Sequence, residues 1–240
     1  MSIIKNDDPV IESTSLDEYK QFTINILEEI YKFNSEENEK IIGNKNKEQP
    51  YELQIKNILD KNCIEKKTFI YNNSIIIDDN KKISITDSKK YKYNNIVYEY
   101  QPNGSQKPPD FSICCIDKEK NEVNNNYKTI KIECKSSKNN KPIWNCSIPD
   151  EDTIYIFYDT HKKLVYIFNG DEIISKEKKS EIIKFNDDIK KLCNDFNKTT
   201  LSNTNMSFYP RQMINQTKTM DKIIIDREKT FNNVKTRLLN

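Results

Sequence analysis

Residues 109–135 read PDFSICCIDKEKNEVNNNYKTIKIECK. A Pro-Asp pair opens an apolar run, a polar stretch follows, and a second run closes on Glu133, Cys134 and Lys135. Two such runs joined by a polar turn pair as an antiparallel hairpin. Asp110, at the start of one strand, then lies beside the end of the other. Side chains alternate along a strand, so Ile130, Ile132 and Cys134 point one way and Lys131, Glu133 and Lys135 the other. Two readings stay open on these residues. One is an ordinary hairpin with a charged, solvated face. The other is a pair of carboxylates and a lysine gathered around a hard divalent cation and a phosphate. Glu-x-Lys alone does not decide, because it recurs by chance in a chain this rich in Lys and Glu.

The surrounding chain sets the bounds. Its 240 residues suffice for one large domain. Charged residues make up 32 % and hydrophobic ones 35 %, polar overall but with enough Ile, Phe and Tyr for a core. The net charge of +2 argues against a histone-like binder, but not against a nucleic-acid enzyme whose basic groups line one cleft. Six cysteines without a CxxC pair, and one histidine, make a Cys/His zinc site improbable. The cysteines read as reduced, small core residues. The opening MSIIKNDDPV has no leader pattern, and no run approaches the ~20 apolar residues of a membrane span. A cytoplasmic protein without a membrane partner is expected. No P-loop or GxGxxG is present, and the lone His161 sits in a turn-like YDTHKKLVY.

Coarse patterning predicts helices over 15–34, 50–62 and 176–197. Ser15 and Glu18 form a capping box at the first, and Pro50 opens the second. In the third, Ile182, Ile183, Phe185, Ile189, Leu192, Cys193 and Phe196 lie on or near one side. Strands are expected in KKTFIYNN, SIIID, KKISIT, NNIVYEY, SICCI, TIKIECK, TIYIFYD and LVYIFNG. The fold class is α/β, one domain over 1–240: a mixed β-sheet flanked by helices. Its catalytic core is expected over about 48–197, with a polar C-terminal segment, 198–240, as a region for DNA recognition or dimerisation.

With Pro109-Asp110, the spacer, and Glu133-Cys134-Lys135 after an apolar run, the chain resembles the PD-(D/E)xK nucleases, and among them the type II restriction endonucleases. The upstream QPNGSQKPPDF and the downstream KSSKNNKPIWNCSIP also look like restriction enzymes of this kind. The resemblance covers about residues 97–168 and implies a restriction-endonuclease-like core. It implies that Asp110 and Glu133 bind Mg²⁺, with the backbone carbonyl of Cys134 completing the shell, and that Lys135 serves the attacking water. Many members carry a further glutamate on the preceding helix. Glu52 is the best positional match, with Glu28 and Glu29 as weaker ones, although a first-turn glutamate also suits the helix dipole.

The implied activity is Mg²⁺-dependent, site-specific cleavage of double-stranded DNA. A homodimer is expected from two-fold sites, and a separately encoded DNA methyltransferase as the cognate partner. Asn103, Ser105 and Gln106 precede Asp110, and Ser136, Ser137 and Lys138 follow Lys135; with Asn145, Arg211, Asn215 and Gln216 they are candidate DNA contacts. Asn103-Gly104 also reads simply as a turn, and Trp144 as core. The alternatives are a repair or junction nuclease of the same fold and a non-catalytic nucleic-acid-binding module.

Overall fold

Strand-forming residues that alternate on both faces need cover on both faces, and this chain supplies it from its two ends. The computed structural model describes residues 15–32, 50–65, 70–71, 74–75, 96–104, 107–117, 122–124, 126–145, 148–210 and 213–240. Among them, helices α1 (Leu16–Tyr31) and α2 (Pro50–Asn62) precede the sheet strands β1 (Ile64–Glu65) and β4 (Ile96–Tyr100). A two-residue hairpin lies between these, β2 (Ile70–Tyr71) with β3 (Ser74–Ile75). Then come β5 (Phe111–Asp117), β6 (Glu122–Val123), β7 (Ile130–Ser137), β8 (Ile143–Asn145), β9 (Thr153–Asp159) and β10 (Leu164–Asn169). Helix α3 (Lys176–Thr199), strand β11 (Met213–Asn215), the short α4 (Met220–Ile223) and α5 (Arg227–Leu239) finish the chain. The expected strand over 81–86 and the end of the first helix beyond residue 32 lie outside the described residues.

The sheet is mixed and runs β1-β4-β5-β7-β9-β10, with β6 pairing β5 as a seventh strand. Strands β4, β5 and β7 are successively antiparallel, β7 and β9 are parallel, and β9 and β10 form a hairpin. Period-two alternation sorts the side chains. On one face Tyr98, Phe111, Ile113, Ile132, Ile156 and Ile167 pack with residues of α1, α2 and α5. On the other, Tyr155, Phe157, Tyr166 and Phe168 pack under Trp144, Met220 and Ile224. The α/β class and the mixed sheet flanked by helices hold.

Local sequence explains the helix on the first face. Ser15 Oγ accepts from the Glu18 amide, and Glu18 Oε2 accepts from the Ser15 amide at 2.8 Å. Along one stripe of α1, Tyr19, Phe22, Ile26 and Ile30 are buried, whereas Leu16 is exposed. Gly170, leaving β10, is required by close approach: a Cβ there would stand 2.2 Å from the Asp150 carbonyl oxygen.

The C-terminal segment contributes to the main core, because α5 buries Phe231 and Val234 there. Phe231 stacks on Tyr31 at 4.6 Å, and Arg227 lies over the same ring and donates to the Val165 carbonyl at 3.0 Å. The hydrophobic core therefore draws on α1 and α5, at the two ends of the described chain. Conversely, the apolar stripe of α3 is left largely uncovered: only Cys193 is buried, because no described element packs extensively along this helix.

Truncating Phe231 leaves a cavity between α1 and α5. Phe231→Ala is expected to cost roughly 3 kcal/mol in chemical denaturation, as for other buried aromatic truncations. An exposed substitution such as Asn232→Ala on the same helix should stay within about 0.5 kcal/mol of wild type.

Candidate active site

Antiparallel pairing of β5 and β7 puts Phe111 opposite Ile132, Ser112 opposite Lys131 and Ile113 opposite Ile130. The ladder stops there, because the next residue back along β5 is Asp110, preceded by two prolines that lack an N–H. The Asp110 side chain takes over: its Oδ2 accepts from the Cys134 amide at 2.7 Å. This bond fixes the carboxylate against β7 between Glu133 and Lys135. On the far side, β9 holds the same stretch in register, with Glu133 opposite Tyr155 and Lys135 opposite Phe157. The three residues expected to act together are brought together.

Glu133 is buried, and its Oε1 accepts from Lys135 Nζ at 2.5 Å. Lys135 is itself mostly enclosed, with a side chain 16 % exposed. The other carboxylate oxygen of Glu133, Oε2, is buried without a hydrogen-bond partner. Burial raises the pKa of Glu133 against the pull of Lys135, and Asp110 raises it further. Burial raises Asp110 as well, opposed by the Cys134 amide and Lys135.

Helix α2 brings Glu52 to this cluster. Its Oε2 accepts from Tyr100 Oη at 3.2 Å, and Gln101 Nε2 donates to that same tyrosine oxygen at 3.1 Å. Burial and then the Asp110 charge push Glu52 up to about 7, with Glu133 adding to the rise. The other candidates go elsewhere. Glu28 pairs with Lys235 of α5 at 3.2 Å, and Glu29 is exposed.

The donor set suits a hard divalent cation. Three carboxylates whose pKa values burial raises, with Asp110 adding to the rise of Glu133 and both adding to that of Glu52, and one with a buried oxygen lacking a partner, are relieved by a positive charge placed among them. The side chains are not already arranged as a chelate. Among the described residues no three acidic, cysteine or histidine side chains stand together as ligands; Asp110 is turned to the Cys134 amide and Glu133 to Lys135.

The candidate DNA contacts divide. The Asn103 side chain donates through Nδ2 to the Pro108 carbonyl at 2.7 Å, and Gly104 takes a positive φ of 87°; the turn reading describes it. Ser137 Oγ accepts from the Asn139 and Lys141 amides and shapes the chain after β7. Ser136 is half-buried and Lys138 exposed, both just beyond Lys135. Gln216 is committed inward: its Oε1 accepts from Trp144 Nε1 at 3.3 Å, and its Nε2 donates to the Lys218 carbonyl at 2.8 Å. Asn145 and Asn215 lie on the paired strands β8 and β11, and Asn215 is exposed. Ser105, Gln106 and Arg211 lie outside the described residues. His161 serves the β9–β10 turn, where its amide and that of Lys162 donate to Asp159 Oδ1. Sequence reasoning missed Tyr100 and Gln101, whose roles depend on α2 docking beside β4.

The raised Glu52 pKa has a definite sign. The unfolded chain releases this proton near 4.5, whereas the folded one keeps it to about 7. The associated stability is full below 4.5 and lost as pH rises to about 7. In EDTA, Glu52→Gln should therefore melt higher than wild type at pH 8, and this advantage should shrink toward pH 4. Parallel melting curves across that range would contradict the buried carboxylate cluster.

The chain matches no protein-family model, no curated protein and no solved structure. Its chemistry is therefore read from Glu52, Asp110, Glu133 and Lys135 themselves.

Proposed function

We propose that this protein is a Mg²⁺-dependent endonuclease that hydrolyses phosphodiester bonds of double-stranded DNA, built on a restriction-endonuclease-like core. The observation that carries the reading is the bond from the Cys134 amide to Asp110, which holds Asp110 beside the Glu133–Lys135 pair on the neighbouring strand. Asp110 and Glu133, with the carbonyl of Cys134, would hold the cation, and Glu52 is a further carboxylate within its electrostatic reach. Bound there, Mg²⁺ supplies charge neutralisation at a phosphate oxygen and a lowered pKa for a coordinated water.

The chain's own residues do the rest. Asp110, fixed through its Oδ2, keeps the carboxylate pair at a set position relative to the strand. Lys135, mostly enclosed, places a positive charge where negative charge develops during in-line attack and orients the attacking water. Engaging a phosphate requires Lys135 to exchange its contact with Glu133, which frees a second Glu133 oxygen for the cation. Lys138, exposed past the end of β7, is placed for the phosphate backbone. Restriction is the cellular role that fits the resemblance, with a DNA methyltransferase encoded separately. Repair or junction cleavage would use the same four residues.

A second reading has one observation in its favour. The closed Lys135–Glu133 pair and the bonded Asp110 also describe a self-contained hairpin edge in a non-catalytic nucleic-acid-binding module. A digest separates the two. Wild type with Mg²⁺ should cut mixed-sequence supercoiled plasmid and phage DNA into discrete bands. EDTA should abolish cutting, and Lys135→Ala should lower the rate at least ~100-fold, as for loss of one electrostatic stabiliser. A smear or nicking moves the role to repair, whereas no cleavage of any DNA, branched substrates included, favours the non-catalytic module.

A further inference from the structure

Strand β4 pairs with β5 as far as Tyr100 opposite Phe111, and the next residue, Gln101, takes a positive φ of 50°. Glycine, or asparagine among residues with a side chain, takes this conformation at less cost than glutamine does. A turn alone therefore does not call for glutamine here. What the conformation does is bring two neighbours together. Successive side chains along an extended strand point to opposite faces. The left-handed residue breaks that alternation, and Gln101 reaches back to its own neighbour, donating from Nε2 to Tyr100 Oη at 3.1 Å.

Two carboxylate residues of the candidate site are held from this one position. The Gln101 backbone amide donates to the Asp110 carbonyl at 2.7 Å, and the Gln101 carbonyl accepts from the Gly104 amide at 2.9 Å. The Gln101 side chain acts on Glu52 through Tyr100, whose Oη donates to Glu52 Oε2 at 3.2 Å. The Tyr100 ring is set against Phe111, with centroids 5.1 Å apart. The main chain of Gln101 is thus tied to the start of β5, and its side chain to helix α2.

Proton count gives this chain of bonds a direction. A phenol has one proton to give. Gln101 Nε2 only donates, so Tyr100 Oη accepts there and its single proton goes to Glu52. The opposite amide orientation would bring Oε1 to the phenol, in competition with Glu52 for that proton. Burial and the Asp110 charge raise the Glu52 pKa, and the Tyr100 bond opposes them more than Lys135 does. Tyr100 thus favours the charged carboxylate, and Gln101 leaves Tyr100 free to do so.

We propose that Gln101 is a positioning residue: acting through Tyr100, it holds Glu52 oriented near Asp110 and so sets the affinity of the site for a hard divalent cation. The proposal rests on the metal-binding reading of the site and not on DNA cleavage. Groups bonded to the ligands of a metal commonly change its affinity ~10–100-fold when removed.

Mn²⁺ suits carboxylates as Mg²⁺ does, and its titration into the DNA-free full chain, with free ion counted by electron paramagnetic resonance, tests the role. Gln101→Gly removes the side-chain amide and Gln101→Asn draws it back by one methylene, whereas both residues suit the positive φ. Both variants should weaken Mn²⁺ binding about 10-fold, while melting in EDTA no lower than wild type. Tyr100→Phe should weaken binding to a similar extent. Adding Gln101→Asn to Tyr100→Phe or to Glu52→Gln should weaken it no further. Unchanged Mn²⁺ affinity in both Gln101 variants overturns the positioning role, and so does a loss that comes with lower melting in both, the mark of a residue that only shapes the turn. A further loss on the Glu52→Gln background overturns the route through Glu52. A wild type that binds no Mn²⁺ overturns the metal site itself, and this role with it.

Discussion

One hydrogen bond organises the candidate-site end of this sheet: the Cys134 amide to the Asp110 carboxylate. Burying a carboxylate costs several kcal/mol unless it is bonded or paired. Here the cost is offset by using the carboxylate where a backbone carbonyl would otherwise continue the ladder. The β5–β7 register ends at Phe111 opposite Ile132, and the Asp110 side chain accepts from β7 beyond that point. The site thus sits where two neighbouring strands part, held on its other side by the parallel register of β7 with β9. Strand β7 is the element on which both constraints fall, and it carries Glu133 and Lys135.

The electrostatics follow from that geometry. Strand alternation places Glu133 and Lys135 on one face, and helix α2 then brings Glu52 toward them because its apolar residues Ile55, Ile58 and Leu59 must be buried against the same sheet. Packing energy therefore assembles three carboxylates that electrostatics alone would keep apart. Lys135 offsets part of this, and one Glu133 oxygen remains buried without a partner. A fold that spends apolar burial on such an arrangement stores a preference for positive charge at that point. This is the physical link between the packing of α2 and the proposed metal-dependent chemistry.

Much of this was legible in the sequence, for reasons that can be stated residue by residue. The hairpin of Asp110 with Glu133 and Lys135 could be read because strand period and turn composition are local signals. The Ser15–Glu18 box and the β9–β10 hairpin were readable on the same grounds. Helix α5 was not: its sequence is mostly polar, and it buries only two side chains fully, Phe231 and Val234. The pairing of β8 with β11 joins residues about seventy positions apart, which no short window reveals. Gln216 looked like a base reader because amide side chains are, but Trp144 needed an acceptor once buried, and Gln216 supplies it.

The same accounting explains why α3 differs from the other long helices. The first sheet face is filled by α1, α2 and α5, and the second by Trp144, Met220 and Ile224. A sheet has two faces, and both are occupied before α3 can claim either. Amphipathic periodicity shows that a face wants cover but not which surface provides it. The described elements leave most of the apolar stripe of α3 exposed, with only Cys193 of the helix buried.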